Sequence, residues 1–447
     1  MSNGFLCILL FFSLPFLILP IDNIDWDDMV KRENDTYLKY YFENNTTPFD
    51  NSDSSFSIQN DNIYKARRIS LLSTLNEYYP DWMSGLSDSR RLDTITIPGT
   101  HDTCSRYGGP LLKCQDLTLE EQLLMGVRLI DIRCRHINDV FMIHHNRVYQ
   151  RLSFGSGVRD VCVRFLQNHP KEVIFMLIQE EWKPKDNTRT FDETMYSYIN
   201  CSEYKKYFYL NEGELPTIES VRGKIVIFRR FKKEKLSEID MGNYIKFAVN
   251  DEFVSNTTIT AYGQDRYKVP SLFDRPKKYK FVESFFEKPK SFEKRLTNHI
   301  GTTIFFNYGS GQSYFCYPYS VAEYINPRIG NYVEKSYPNE FLGMIFLDFV
   351  NRYHPKIIYH IIKRNFIPEK NGGLKNVFTV CDLKNCTNKS DGTNKLCVAL
   401  VIITVLALLA LAVIFVIYLV KRFNKKEMNS EKDAFMSLLK FQFIILL

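Results

Sequence analysis

Two histidines, two aspartates and one arginine of this chain are of the types needed to cleave a phosphate diester. His101 is followed directly by Asp102, His145 ends a short apolar run, and Arg133 and Asp348 also lie within or after such runs. One imidazole can remove a proton while the other delivers one, which is the general acid/base chemistry of phosphodiester cleavage. The two aspartates are candidate carboxylates for orienting the rings. Arg133 offers a fixed charge and a pair of N–H donors that suit a phosphate oxygen.

The competing chemistry is a metal-assisted reaction at the same position. Asp131 stands two residues before Arg133, and a carboxylate there can ligate Ca²⁺ or Mg²⁺. A cation at position 133 repels a metal ion and can take over its charge. The sequence therefore favours a site without metal or cofactor, and sensitivity to a chelator separates the two alternatives.

Seven short apolar runs between about residues 80 and 365 must position these side chains. Most are continuous rows of Val, Ile, Leu and Phe, which is typical of parallel strands buried on both faces. Helical stretches lie between them, among them 117–126, 158–170 and 319–333. The pattern predicts an α/β fold, namely an irregular TIM (β/α) barrel that forms a single catalytic domain, with a weak or distorted eighth strand. The seven runs are 93–99, 127–133, 140–145, 172–180, 224–230, 303–309 and 343–349.

Polar side chains stand at the carboxyl ends of these runs, which is where the active site of a barrel is built. We therefore expect groups from distant parts of the chain to converge on one mouth of the barrel. The groups are His101, Asp102, Arg133, His145, Arg230, Asn307 and Asp348.

Both ends of the 447-residue chain are apolar. Residues 5–19 form an uncharged run of signal-peptide length. Residues 396–420 contain no charge and are long enough to span a bilayer, so the sequence predicts a C-terminal transmembrane helix. Seven N-glycosylation sequons precede this segment and none follows it, which favours a single-pass type I membrane protein with an extracellular or lumenal catalytic domain. The sequons begin at Asn34, Asn44, Asn45, Asn200, Asn256, Asn385 and Asn388.

Eight of the ten cysteines lie between the apolar ends. An even number in an oxidising compartment allows disulfides. Cys104 with Cys114, and Cys381 with Cys386, are close enough in sequence to pair. The sequence leaves the connectivity open.

These features divide the chain into six predicted segments. They are a signal peptide at 1–22, a flexible acidic arm at 23–75, a catalytic barrel at 76–370, a cysteine-containing linker at 371–395, a transmembrane helix at 396–420 and a cytoplasmic tail at 421–447.

The formal net charge of +7 is unevenly distributed. Residues 22–64 carry ten acidic and three basic side chains, whereas residues 421–447 carry six basic and three acidic ones. The body between them is therefore strongly basic, and such a surface suits an anionic partner such as phospholipid head groups. The basic charge is diffuse and no aromatic platform motif accompanies it, so the sequence indicates no nucleic-acid partner. The oligomeric state stays open.

Four sequence motifs follow one another in the order found in a known family. They are IPGTHD (97–102), GVRLIDIRCR (126–135), MIHHNRVY (142–149) and NHPKEVIFMLIQEEW (168–182), and the similarity continues to about residue 365. This set resembles the X-domain of phosphatidylinositol-specific phospholipases C, in particular its bacterial, metal-independent branch and its GPI-cleaving relatives. The resemblance implies an irregular TIM barrel and cleavage of phosphatidylinositol, or of the anchors of GPI-anchored proteins, to diacylglycerol and inositol 1,2-cyclic phosphate.

The resemblance also implies a role for each candidate catalytic residue. His101 is then the general base for the inositol 2-hydroxyl, supported by Asp348. His145 is the general acid for the leaving diacylglycerol oxygen, supported by Asp102. Arg133 contacts the phosphate where calcium-dependent relatives hold their ion.

Recognition of the inositol head group is where this chain departs from the pattern. The resemblance implies that Arg230 and Asp265 bind inositol hydroxyls and that Tyr267 stacks on the ring. Residues 179–181 read Gln-Glu-Glu where the bacterial enzymes have Lys-Lys-Glu, and Asn146 replaces a glycine after the second histidine. These changes leave an alternative open, in which a catalytically weak barrel serves as a surface lipid-binding or adhesion module.

Overall fold

The predicted apolar runs form most of one large sheet. The computed structural model describes residues 77–293, 302–337 and 339–366. Its strands are β1 (Ile97–Thr100), β2 (Leu129–Ile137), β3 (Val140–His145), β4 (Val148–Ser153), β5 (Ile174–Glu180), β6 (Phe208–Tyr209), β7 (Ile225–Arg229), β8 (Asn243–Tyr244), β9 (Glu252–Asn256), β10 (Thr260–Gln264), β11 (Thr303–Tyr308) and β12 (Met344–Leu347).

Helices lie between the strands of this sheet. They are α1 (Leu119–Met125), α2 (Asp160–Asn168), α3 (Phe191–Ile199), α4 (Ile218–Val221), α5 (Arg275–Phe285), α6 (Glu287–Glu293), α7 (Pro318–Lys335) and α8 (Ile357–Lys363). The three predicted helical stretches contain α1, α2 and most of α7. Thr118 and Glu121 form a capping box at the start of α1, and Gly126 ends it with a φ of 118°. This local chemistry sets the connection from α1 into β2.

The order of the strands confirms the predicted α/β fold. Hydrogen-bonded neighbours run β6-β7-β5-β2-β1-β12-β11-β10-β9, with β8 beside β7. The pairs from β7 through β1 and β12 to β10 are all parallel, so their carboxyl ends lie on one side of the sheet. Six of the seven predicted runs contribute to this parallel part, as β1, β2, β5, β7, β11 and β12.

The remaining run, 140–145, differs from the prediction of parallel strands. It forms β3, which pairs antiparallel with β2. Only Asn138 and Asp139 separate the two strands, and both have positive φ, at 49° and 62°. A two-residue connection of this type joins antiparallel strands, because a parallel crossover needs a dozen or more residues. His145 therefore reaches the site from a hairpin beside the parallel strands.

The two edges of the sheet approach each other between β8 and β9. The backbone N–H of Tyr244 donates to Thr258 Oγ1 at 2.9 Å, and that of Lys246 donates to Ser255 Oγ at 2.9 Å. Side-chain hydroxyls thus take the place of a backbone ladder here, which gives the sheet a barrel-like form with an irregular seam.

Aromatic side chains fill the space enclosed by the sheet. The ring of Phe306 on β11 lies 5.9 Å from Phe228 on β7 and 5.7 Å from Phe346 on β12, measured between ring centroids. All three are fully buried. Burying each such side chain stabilises the fold by roughly 1.5–3 kcal/mol.

A buried ion pair joins the segments that precede β2 and β5. Arg128 Nε donates to Glu172 Oε2 at 2.8 Å, and neither side chain is exposed. The backbone N–H groups of Met83 and Ser84 donate to the same carboxylate. The guanidinium also donates to four carbonyl groups, so the pair is well supplied with hydrogen bonds.

Three predictions about the rest of the chain have different outcomes. Cys104 and Cys114 are free thiols, so the disulfide that their short separation allows is not formed. Within the described ranges, no helix combines the length and apolar character needed to cross a membrane. Several predicted parts of the chain lie outside the described residues. They are the signal peptide, the whole acidic arm, the linker, the Cys381–Cys386 pair, the transmembrane helix at 396–420 and the tail.

Candidate active site

The first histidine–aspartate pair joins the ends of two neighbouring strands. His101 follows β1, and Asp348 follows β12, with which β1 pairs in register. His101 Nδ1 lies 2.9 Å from Asp348 Oδ1. On the other side of the ring, an N–H group of Arg133 lies 2.7 Å from His101 Nε2. Because guanidinium offers only donors, Nε2 must be the unprotonated acceptor and Nδ1 must carry the proton.

The second pair joins His145, the last residue of β3, to Asp102. His145 Nδ1 lies 2.9 Å from Asp102 Oδ2 and 2.7 Å from the carbonyl oxygen of Leu112. Since a carbonyl can only accept, Nδ1 carries a proton, and its direction satisfies the carbonyl better than the carboxylate. The Asp102 contact is therefore an ion-pair contact at short distance. Nε2 is left as the nitrogen through which this ring exchanges a proton.

Arg133 lies between the two pairs and is held there by a third aspartate. Asp131 and Arg133 share one face of β2 because side chains alternate along a strand. Asp131 Oδ2 accepts from Arg133 at 3.0 Å and from the backbone N–H of Asp102 at 3.1 Å. Arg133 also lies 3.6 Å from Asp102 Oδ2. The sequence marked Asp131 as a metal ligand in the competing reaction, and its carboxylate faces this guanidinium instead.

The charges of the cluster set the protonation states. Burial alone would raise the pKa of Asp102, but the charges of His145 and Arg133 outweigh it and lower that pKa to about 2. Burial disfavours the charged form of His145, yet the neighbouring Asp102 raises the pKa of this imidazole above its usual value. Burial raises the pKa of Asp348 despite the opposing charge of His101. His145 therefore keeps its proton to a higher pH than a free imidazole.

The predicted head-group residues surround the same mouth. Arg230 follows β7, and its guanidinium lies 3.9 Å above the ring centroid of Phe247. Asp265 follows β10 and is half-buried. Both are close enough to act electrostatically on the Tyr308 hydroxyl, as Asp131 and Arg133 do. Tyr267 lies further along the same loop, where its carbonyl accepts from Gln312, and its stacking on inositol stays a prediction.

Tyr308 takes the place that the sequence assigned to Asn307. The Asn307 amide donates to the Val282 carbonyl on α5, so it faces outward from the sheet and does not converge on the mouth. The next side chain, Tyr308, faces inward and stacks on Phe346 with 4.0 Å between ring centroids. Its buried hydroxyl has no hydrogen-bond partner among the described residues. Burial, together with nearby carboxylates, raises the pKa of Tyr308, so the hydroxyl is a donor aimed at the charged cluster.

Gln115 is a further residue that the sequence analysis missed. Its side-chain amide donates to the carbonyl of His101 at 2.9 Å and to that of Leu347 at 2.8 Å. These carbonyls belong to, or directly precede, the two members of the first pair. Gln115 is buried in the segment between β1 and α1, where no periodic pattern indicates its role.

Two residues that depart from the family pattern, Gln179 and Asn146, both contact Glu181. Glu181 accepts from the Gln179 amide at 3.0 Å and from the backbone N–H of Asn146 at 2.6 Å. Asn146 has a φ of 55°, so it adopts the left-handed conformation that asparagine tolerates. The charge of Glu181 also acts on Arg133 and His145. The altered segment thus adjoins the catalytic cluster.

Exposed aromatic side chains stand on the rim of the mouth. The loops after β10 and β11 are joined by backbone hydrogen bonds between Gln312 and residues 267 and 269. These loops carry one exposed leucine and three exposed aromatic residues, which together we call the aromatic rim: Leu272, Phe273, Tyr314 and Phe315. Phe273 is 92% exposed, Tyr314 74% and Phe315 76%. Such a group of apolar side chains at one edge of a polar mouth marks an interaction surface.

Comparison with known proteins agrees with this arrangement. The family described as "Phosphatidylinositol-specific phospholipase C, X domain" matches residues 92–231. A 1-phosphatidylinositol phosphodiesterase of Listeria monocytogenes is 30% identical over 299 residues, which are 64% of this chain and 84% of that protein. A protein of the same name from Staphylococcus aureus is 29% identical over 310 residues, which are 65% of this chain and 96% of that protein.

Solved structures of such proteins have the same fold. A phosphatidylinositol-specific phospholipase C from Staphylococcus aureus matches with a TM-score of 0.57 and 28% identity, over 65% of this chain and 98% of its own. The one from Listeria monocytogenes matches with a TM-score of 0.51 and 28% identity, over 65% of this chain and all of its own. The fold is therefore TIM-barrel-like, and the resemblance drawn from the sequence motifs is confirmed. This chain belongs to the family of phosphatidylinositol-specific phospholipases C.

Proposed function

We propose that this protein cleaves phosphatidylinositol by two-histidine general acid/base catalysis without a metal ion. The observation that carries this proposal is the arrangement of two histidine–aspartate pairs on either side of Arg133. The two rings differ in protonation as a base and an acid must differ. His101 exposes an unprotonated nitrogen, whereas His145 lies against an ionised carboxylate that favours its charged form.

His101 acts as the general base. Its Nε2 takes the proton of the inositol 2-hydroxyl as that oxygen attacks phosphorus. Asp348, 2.9 Å from Nδ1, keeps the ring in the tautomer that leaves Nε2 free and stabilises the imidazolium that forms. Arg133 must give up its contact with Nε2 when the hydroxyl arrives, and a phosphate oxygen is the better acceptor for its N–H groups.

His145 acts as the general acid. As the bond between phosphorus and the glycerol oxygen breaks, Nε2 of the imidazolium donates its proton to that oxygen, and diacylglycerol leaves. The phosphorus stays bonded to the 1- and 2-oxygens, so the first product is inositol 1,2-cyclic phosphate. The raised pKa of His145 keeps the acid charged to a higher pH than a free imidazole.

Arg133 supplies the positive charge that a metal ion supplies in the competing reaction. Asp131 accepts hydrogen bonds from two nitrogens of the guanidinium and so holds it in place before the substrate binds. The positive charge is therefore preorganised. The Tyr308 hydroxyl is a further donor facing the same cluster. Because the chain provides these donors itself, we expect the reaction to proceed in the presence of EDTA.

The aromatic rim supports a lipid substrate rather than a soluble diester. Phe273, Tyr314 and Phe315 extend from the same side of the barrel as the two histidines. Inserting them into the interfacial region of a bilayer would hold the mouth over the lipid head groups. The basic body of the chain favours the same orientation on anionic lipid.

For location, we propose a type I membrane protein whose barrel lies outside the cytoplasm. The uncharged segments at both ends and the one-sided sequons support this topology. The two sequon asparagines within the described residues, Asn200 and Asn256, both reach the surface. A barrel on that side of a membrane meets GPI anchors, so we propose GPI-anchored proteins as a second substrate class.

The test is cleavage of phosphatidylinositol vesicles, and separately of a GPI-anchored reporter, by the full-length chain in EDTA. We expect release of diacylglycerol by the unaltered protein and a loss of at least 10²-fold in His145→Ala. Lack of cleavage of both substrates by the folded protein, even after calcium is added, would leave the lipid-binding module as the better explanation. Cleavage that requires calcium would favour the metal-dependent reaction.

A further inference from the structure

A buried lysine on α5 carries a charge that the mechanism described above does not use. Lys278 is 3% exposed, whereas Lys277 and Lys280 on the same helix are exposed. Among the described residues, the ammonium group has one hydrogen-bond contact, at 3.4 Å from Gln264 Oε1. That acceptor is a neutral amide, so the charge of Lys278 has no carboxylate in direct contact within the described part of the chain.

A buried ammonium of this kind destabilises the fold. It loses its hydration, and one long hydrogen bond to an amide restores little of the lost free energy. Burial lowers the pKa of Lys278 to about 8, against the charges of Asp265 and Asp348, which raise it. The side chain therefore still carries its proton at neutral pH. A methionine of similar length would fill the same space without a buried charge, so packing alone does not explain a lysine here.

The ammonium lies on the helix side of the strands that carry the mouth. Gln264 on β10 pairs in register with Asn307 on β11, so both amide side chains lie on the face that packs against α5. The Gln264 amide donates to Asn307 Oδ1 at 2.8 Å and to the Tyr308 carbonyl at 2.6 Å. Asp265 follows directly after Gln264. A single amide thus joins Lys278 to the strand end that carries Asp265.

Asp348 is the carboxylate of the site that most needs a further positive charge. It is buried, and its Oδ2 has no hydrogen-bond partner among the described residues. Burial raises the pKa of Asp348 and the charge of Asp102 adds to this effect, whereas His101 and His145 oppose it. A protonated Asp348 could not stabilise the imidazolium of the general base. The charge of Lys278 acts on this carboxylate and favours its ionised form.

We propose that Lys278 is a positioning residue of the active site, whose buried ammonium offsets the negative charges of Asp265 and Asp348 from the helix side of the barrel. It does not touch the substrate. It acts through these two carboxylates, one of which supports the general base while the other is a proposed ligand of the inositol hydroxyls. The effect on cleavage rests on the proposed function, whereas the effect of the buried charge on stability does not.

The test compares Lys278→Met with Lys277→Met in the full-length chain in detergent. Lys278→Met removes a buried charge, so we expect thermal unfolding at the same temperature or a higher one. Its kcat/KM for phosphatidylinositol micelles in EDTA should nevertheless fall about tenfold. The acidic limb of the kcat/KM profile should move to higher pH, because the ionised form of Asp348 is less favoured. Lys277→Met removes an exposed charge from the same helix and should change none of these properties.

Two further variants separate this role from a merely structural one. Phe285→Leu alters another buried side chain of α5, and it should lower the unfolding temperature but leave the acidic limb in place. Lys278→Gln also removes the charge and should show the same displaced limb, which covers the case in which the methionine variant does not fold. Variants at Lys278 that keep the limb in place, with kcat/KM within threefold or reduced only alongside a lower unfolding temperature, would overturn the proposal.

A readout without catalysis separates this proposal from the proposed function. The pKa of Lys278 is lower in the folded chain than its ordinary value of 10.5. Between roughly pH 8 and pH 10 the unfolded chain therefore binds more protons at this residue, so the unaltered chain should gain stability relative to Lys278→Met as the pH rises. This gain in a chain that cleaves no phosphatidylinositol would refute the proposed function alone. Its absence would refute the buried charge, and with it this proposal, whatever the activity.

Discussion

Replacing Asp102 with asparagine isolates the charge that supports the general acid. The side chains have nearly the same shape, and asparagine tolerates the left-handed backbone at this position, where φ is 40°. The backbone N–H that donates to Asp131 is unaffected. Arg133 keeps its contact with Asp131, so the variant changes the environment of His145 more than that of the phosphate-binding group.

The size of the effect follows from the pKa of Asp102. The surrounding charges, opposed by burial, lower that pKa from 3.8 to about 2. At 1.36 kcal/mol per pH unit, the cluster favours the ionised carboxylate by about 2 kcal/mol. His145 lies in contact with this carboxylate and loses a comparable stabilisation of its charged form. A barrier raised by about 2 kcal/mol slows the reaction about 30-fold.

The pH dependence should change in a defined direction. In the unaltered chain Asp102 raises the pKa of His145, so the acid stays charged and activity falls only above that raised pKa. In Asp102→Asn, burial and the charge of Arg133 remain, and both disfavour the imidazolium. The alkaline limb of the kcat profile should therefore move to lower pH. The assay is release of inositol phosphates from phosphatidylinositol vesicles in EDTA across this range.

A further histidine–aspartate pair away from the site provides the matched control. His169 Nδ1 lies 2.7 Å from Asp81 Oδ1. His169 precedes β5, whereas the catalytic residues lie at the carboxyl ends of the parallel strands. Asp81→Asn should leave both kcat and its pH profile unchanged. An Asp102→Asn variant that keeps a rate within threefold of the unaltered chain, with its alkaline limb in place, would refute the assigned role of the pair.

Three further predictions test other parts of the account. Tyr308→Phe should lower kcat/KM about 10-fold in vesicle assays. It should cause no loss of thermal stability, because the only group removed is a hydroxyl without a hydrogen-bond partner among the described residues. An unchanged kcat/KM would show that this hydroxyl does not contact substrate. Phe273→Ser combined with Phe315→Ser should weaken vesicle binding in sedimentation assays at least 10-fold and spare cleavage of a water-soluble inositol phosphodiester. Tyr337 is 81% exposed but lies outside the rim, so Tyr337→Ser should leave both vesicle binding and this cleavage unchanged. Glu172→Gln leaves a buried arginine without its counter-ion and should lower the free energy of unfolding by about 3–5 kcal/mol in urea titrations; a loss below 1 kcal/mol would contradict that reasoning.

The sequence predicted the strands that carry the site because the rule behind them is local. Continuous apolar runs indicate buried parallel strands, and polar residues at their carboxyl ends indicate the mouth. His101, Arg133 and Asp348 follow this rule. The family resemblance then suggested which carboxylate accompanies which histidine, and the structure has those contacts at 2.9 Å.

The missed features depend on geometry that no run of apolar residues reveals. The run at 140–145 has the composition of a parallel strand, and only Asn138 and Asp139 before it indicate a hairpin. Asn307 and Tyr308 exchange roles because a shift of one residue along a strand moves a side chain to the other face. Cys114 and Gln115 lie between β1 and α1, where only the three-dimensional path of the chain brings them to the histidines.

The most direct test of the two-histidine mechanism is the identity of the first product, followed by phosphorus NMR in EDTA with phosphatidylinositol in micelles. If the inositol 2-hydroxyl attacks phosphorus, inositol 1,2-cyclic phosphate should accumulate before any acyclic inositol phosphate, and neither should form at a comparable rate in His101→Ala or His145→Ala. Acyclic inositol phosphate appearing first, with no cyclic intermediate, would mean that water attacks phosphorus directly and would contradict the account.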